Sequence, residues 1–154
     1  RKLILKNLIL IKHQVKDIKI TTFGNFTVFY KGNVLQFKRV KSLELIAYLV
    51  YKRGSGVNSK ELMSILWGDY ATSSKYGSSL RNLIVDIKAT LRENGIENFF
   101  ISEYNNFRIN PDIVDCDFYK FMNGDVSAKQ EFFGEFMNQY SWAEGTIAYL
   151  KSQK

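Results

Sequence analysis

The side chains of this 154-residue chain that could do chemistry gather on one long helical pattern, and they are hydrogen-bond donors and cations. Over residues 73–94, Leu80, Leu83, Ile84, Ile87 and Leu91 recur at i, i+3, i+4, i+7 and i+11, a single apolar stripe. The stripe must face a core. Lys75, Ser78, Ser79, Arg81, Asn82, Val85, Asp86, Lys88, Ala89 and Arg92 are left on the other faces. Such a set suits a nucleic-acid duplex: Asn pairs with adenine, Arg with guanine, and Lys with a phosphate. Asp86 is discordant, because a carboxylate repels phosphates even though it can accept from cytosine N4. The competing reading is a structural helix with a solvated polar face.

Other chemistries lack their residues. His13 and Cys116 are the only His and Cys, so a disulfide framework, a cysteine zinc site and most histidine metal clusters are excluded. Cys116 reads as a small buried hydrophobe. Asp112, Asp115 and Asp117 lie close together but lack the twelve-residue calcium loop, and read as charges near a helix N-terminus. There is no GxGxxG, phosphate loop or GxSxG. Neither an enzyme, a metal nor a cofactor is expected. No apolar run is long enough to span a membrane; a cytoplasmic protein is expected.

Charge points the same way as the helix. Hydrophobic residues at 45% and aromatics at 15% allow a packed core, while the net charge of +7 and a pI near 9.4 point to a polyanion partner. Residues 1–16 carry Arg1, Lys2, Lys6, Lys12 and Lys16 without an acid, and residues 38–53 carry five cations against Glu44. Residues 112–154 hold seven acids against four lysines. A basic body with an acidic tail follows. The chain has no initiator Met, which predicts a piece of a longer protein or a processed product.

The elements that would position these residues can be read in order. The spacing predicts strands over residues 18–23, 26–30 and 34–37, separated by Gly24-Asn25 and Gly32-Asn33, in an antiparallel N-terminal sheet. Leu43, Leu45, Ile46, Leu49 and Val50 predict a first helix over residues 41–53, ended by Gly54. Asn58 with Glu61 reads as a capping box opening a second helix, closed by Trp67-Gly68-Asp69. The long third helix stops at Gly95, and residues 99–109 read as a hairpin with an Asn-rich turn. Short helical patterns follow over residues 117–122, 128–137 and 142–150.

Strands, three helices and a hairpin are the order of a winged helix-turn-helix, an α+β fold. Ile20-Thr21-Thr22-Phe23-Gly24-Asn25-Phe26, Leu43–Val50, Glu61–Trp67 and Ile87-Lys88-Ala89-Thr90-Leu91 resemble the OmpR/PhoB-type effector domain of bacterial response regulators. The resemblance covers residues 18–111. Residues 114–121 and 134–144 look like the opening of a bacterial transcriptional activator domain. The implied division is a linker or remnant of a preceding domain over 1–16, a winged-helix domain over 17–111 and a helical activator-like tail over 112–154. The resemblance implies double-stranded DNA as partner, with RNA polymerase and a second copy on DNA as further partners. It also implies an upstream receiver domain served by a histidine kinase. Relatives are usually basic at the positions of Asp86 and Ala89.

The same resemblance makes Asn105, Asn106 and Arg108 the wing contacts, in place of the glycines and basic tip common in such wings. It makes Gly68, Asp69 and Tyr70 the candidate polymerase contacts, with Trp67 read as a core residue. The runner-up function is a protein-interaction module on a winged-helix fold with weak or no DNA binding. The aromatic-rich tail is expected to dock on the body or on a partner, with Trp142 in an apolar pocket.

Overall fold

The first two strands form because β-branched and aromatic residues alternate between a core face and an outer face. In the computed structural model, which describes residues 16–71 and 73–154, they are β1 (Ile18–Thr21) and β2 (Thr27–Tyr30), paired antiparallel with Ile18 opposite Tyr30. Ile18, Ile20 and Val28 point inward. Lys31 and Gly32, both at positive φ, turn the chain into β3 (Asn33–Val34). That strand is only two residues long, shorter than expected, and the chain leaves the sheet at Leu35, which turns into the core. The expected linker over residues 1–16 lies, apart from Lys16, outside the described residues.

Three helices follow. Helix α1 (Val40–Tyr51) is apolar on most sides and has Leu45, Ile46, Ala47, Leu49 and Val50 fully buried. Helix α2 (Ser59–Trp67) starts as expected at Asn58, whose side chain accepts from the Glu61 amide at 2.9 Å. Only half of the capping box forms. The Glu61 carboxylate accepts instead from the Tyr48 hydroxyl on α1 and pairs with Lys52 at 3.6 Å. Helix α3 (Ser73–Glu93) ends where Gly95 takes φ +71°, and the Ile96 amide returns to the Leu91 carbonyl at 2.9 Å. Strands β4 (Phe100–Glu103) and β5 (Asn106–Ile109) then form a hairpin over Tyr104 and Asn105, both left-handed.

The segment after Pro111 departs from the expected helical tail. Strand β6 (Val114–Cys116) pairs parallel with β1, giving the order β3-β2-β1-β6, so the N-terminal sheet is mixed rather than wholly antiparallel. Helix α4 (Asp117–Met122) matches the expected span. Its first residue holds the end of β1. The Asp117 carboxylate accepts from the Thr22 amide (2.9 and 3.0 Å), the Thr22 hydroxyl (2.7 Å) and the Phe23 amide (3.0 Å). Helix α5 (Val126–Glu131) is short, and the helix expected through residue 137 is instead an irregular stretch. There Met137 donates to Thr22 and Asn138 to Gly24, while the Gln139 side chain brackets Phe26, accepting at 2.7 Å and donating at 2.9 Å. A short 3-10 turn (Ser141–Ala143) leads into α6 (Glu144–Gln153).

The tail is therefore docked on the body. Trp142 stands edge-on to Tyr48, stacks on Tyr140 and donates to Glu44 at 3.0 Å. Phe118, Phe121, Phe132 and Phe136 are buried in the same core as the sheet and α1. Burial, with Asp117 beside it, pushes the Cys116 thiol up to about 12, which leaves it an unreactive core residue.

Candidate nucleic-acid interface

The apolar stripe of α3 turns inward as its period requires: Leu80, Leu83, Ile87 and Leu91 are buried and Ile84 half-buried. Lys75, Ser78, Arg81, Asn82, Val85, Lys88 and Arg92 are exposed and form the outer face. Ser79 and Ala89 are half-buried at its margins. Val85, 65% exposed, lies at the centre of that face, between the polar residues on either side.

Asp86 is a correction. Expected on the DNA side, it is only 6% exposed and turned into the protein. Its carboxylate accepts from the backbone amides of Lys38 (3.1 Å) and Arg39 (2.9 Å), from the Ser42 hydroxyl (2.6 Å) and from the Thr90 hydroxyl (3.2 Å). Burial alone would push this carboxyl up. The Ser42, Arg39, Lys38 and Thr90 donors together outweigh it and hold the group below the usual carboxylate range. The charge that would have repelled phosphates is thereby spent inside the fold, fastening the start of α1 to the middle of α3.

The hairpin is likewise fastened to the helix-turn-helix. The Asn105 side chain accepts from the Ser59 amide at 2.9 Å, in the first turn of α2. Phe107 exchanges two backbone hydrogen bonds with Val57 (2.8 and 2.9 Å). The Asn106 side chain lies over Gly56, where a Cβ would come within 2.3 Å of its amide nitrogen and would push that side chain aside. Arg108 is half-buried on the strand rather than at the tip. The tip is Tyr104, fully exposed and not anticipated from the sequence. In the turn between α2 and α3, Gly68, Asp69 and Tyr70 are exposed, and Asp69 accepts from Ser64 at 2.7 Å. Trp67 is half-buried and stacks on Tyr76, ring centroids 5.0 Å apart.

This arrangement, a helix-turn-helix followed by an anchored hairpin, can be set against known proteins. No family model matches the chain, and no curated protein matches it. A solved structure does: Mycobacterium tuberculosis EmbR in complex with a low affinity phosphopeptide, with a TM-score of 0.69 at 18% identity. The chain shares that fold, an α+β winged helix-turn-helix. The match covers 91% of this chain and 43% of EmbR, so the chain spans less than half of that protein's length.

Within the winged helix, α3 stands where a recognition helix stands and β4–β5 is the wing. Two features escaped the sequence reading. Lys38 and Arg39 are exposed just before α1, and Arg39 lines a cleft with Asn82. Tyr104 could have been found as the residue at the centre of a two-residue hairpin turn, since such residues point away from the sheet. Among the described residues no group of His, Cys, Asp and Glu could hold a metal ion, and no helix is long and apolar enough to cross a membrane.

Proposed function

We propose that the chain binds double-stranded DNA as a transcription regulator, with α3 in the major groove and the wing beside the backbone. The observation that carries this reading is the outer face of α3. Arg81, Asn82 and Lys88 are exposed there, and the helix's one inner carboxylate, Asp86, is turned away. A helix with side chains is as wide as the groove it would enter. Arg81 and Asn82 read bases, while Lys75 and Lys88 meet phosphates.

The resemblance to OmpR/PhoB-type effectors extends the reading. The chain then serves as the output module of a response regulator, downstream of a receiver domain and its kinase, in the cytoplasm. It binds as a pair on DNA, with Gly68, Asp69 and Tyr70 offered to RNA polymerase.

The test is a titration of the whole chain against duplex DNA in increasing salt. Neutralising about five phosphates gives a slope of log K against log salt of roughly −4 to −5. Absence of binding at low salt, or binding insensitive to salt, refutes the reading. The outcome would then favour a protein-interaction module, a reading supported by the exposed Val85 and Tyr104 on α3 and the wing tip.

A further inference from the structure

A helix in a major groove meets a phosphate strand on each side, so both flanks of α3 need cations. At about 100° per residue, taking Val85 as the centre of the outer face, Arg81 and Lys88 fall roughly 40–60° to one side. Asn82 falls roughly 60° to the other and Asp86 roughly 100°. The second flank of α3 is thus poor in cations beyond Lys75, and its middle is occupied by an inward carboxylate.

That flank is where α1 begins. Asp86 takes the backbone amides of Lys38 and Arg39, fixing these two residues against α3. Both are exposed, and neither enters a salt bridge among the described residues. A cleft of about 260 Å³ separates Arg39 and Val40 of this segment from Ser79 and Asn82 of α3. The backbone amides are already used by Asp86, so the cationic side chains carry the proposal, not the helix start.

We propose that Lys38 and Arg39 form a phosphate-binding ridge for the DNA strand along the Asn82 flank of α3, with Asp86 as the positioning residue that holds the ridge in place. The inference rests on the DNA reading above and assigns the second groove wall to α1. The two cations do from a neighbouring helix what a basic residue at position 86 would do from α3 itself. The contact is with the backbone, so it strengthens binding without choosing a sequence.

The experiment compares the full chain with the Lys38→Ala/Arg39→Ala double variant on two duplexes of unrelated sequence, each titrated in salt. Both substitutions are on exposed side chains, and a circular dichroism melt checks that the fold is kept. Loss of two phosphate contacts should make the slope shallower by about 1.8 and weaken binding by the same factor on both duplexes. Asp86→Asn should weaken binding in the parent chain but not in the double variant, a coupling that general loosening of the fold does not produce. An unchanged slope in the double variant overturns the ridge and leaves the α3 reading standing. A loss confined to one duplex also overturns it, because the residues would then be reading bases. Additive effects of Asp86→Asn and the double variant overturn the positioning role. If the parent chain binds neither duplex, both the ridge and the DNA reading fall.

Discussion

Replacing Asp86 by alanine withdraws one carboxylate from four donors at 2.6 to 3.2 Å. The donors differ in what they can recover. Ser42 and Thr90 are 0% and 4% exposed, so their hydroxyls are cut off from water, whereas Lys38 and Arg39 are surface residues whose amides can be partly rehydrated. A buried donor left without an acceptor costs about 1–3 kcal/mol. Thr90 can rotate to the carbonyl one turn back, which recovers part of its share. The expected loss is about 2–4 kcal/mol, a large part of the roughly 5–15 kcal/mol that holds a domain folded. With a urea m-value of about 2 kcal/mol/M, the midpoint at pH 7 should fall by roughly 1–2 M.

The pH dependence has a definite sign. The Asp86 carboxyl lies lower in the folded protein than in the unfolded chain, so the unfolded chain takes up the proton first. Its contribution is complete above the unfolded value of about 3.9 and disappears as pH falls through the folded value. The stability gap between the parent chain and Asp86→Asn should therefore be widest near neutrality and shrink below about pH 4. A gap that is constant from neutral to acid pH, or an Asp86→Ala midpoint within about 0.3 M of the parent, refutes the assignment of Asp86 as an ionised internal clamp.

Other outcomes follow from the same geometry. Asn82→Ala should cost about 1–3 kcal/mol of binding at one base position if the side chain pairs with adenine, read by competition among single-base variants of a bound duplex. Unchanged profiles for both Asn82→Ala and Arg81→Ala remove α3 from the recognition role. Asp117→Ala leaves the buried Thr22 without its acceptor and should lower stability by about 2–4 kcal/mol in urea denaturation. Ending the chain after Pro111 should lower the melting temperature by several degrees or more while DNA affinity holds, because β6 and four buried phenylalanines leave the core.

The sequence made α3 legible because five apolar residues repeat along it and the helix packs on one side only. The Asn58 cap, the Gly95 stop and the position of the hairpin were legible for a similar reason, since each is decided by neighbours within a few residues. What escaped depends on partners far along the chain. Strand β6 is three residues long and pairs with β1 across nearly the whole domain, so no local alternation marks it. Asp86 looked like a surface residue because its four donors come from two helices and the segment between sheet and helix. A hint lay in its place beside the stripe and in Thr90 one turn on. The irregular stretch after α5 had its own warning: Gly134 takes φ +95°, which a helix cannot use.

The charge division between body and tail has a structural counterpart in α1. Ser42 faces α3 through Asp86, while Glu44, Tyr48 and Tyr51 meet Trp142 of the tail. At about 100° per residue these residues lie roughly 120–180° away from Ser42, on the far side of the helix. Helix α1 is therefore a wall, with α3 on one side and the acidic tail on the other. Among the described residues no tail hydrogen bond reaches α3. Several tail acids are also engaged locally, Asp117 by Thr22 and Phe23, and Asp115 by Lys120 at 2.7 Å. The tail can thus carry net negative charge without placing it where phosphates would come. One polar path does run around the wall. Trp142 donates to Glu44, Glu44 pairs with Lys41 at 3.1 Å, and Lys41 donates to the Leu66 carbonyl at the end of α2 at 2.6 Å. A continuous chain of polar contacts thus joins Trp142 of the tail to the last turn of α2.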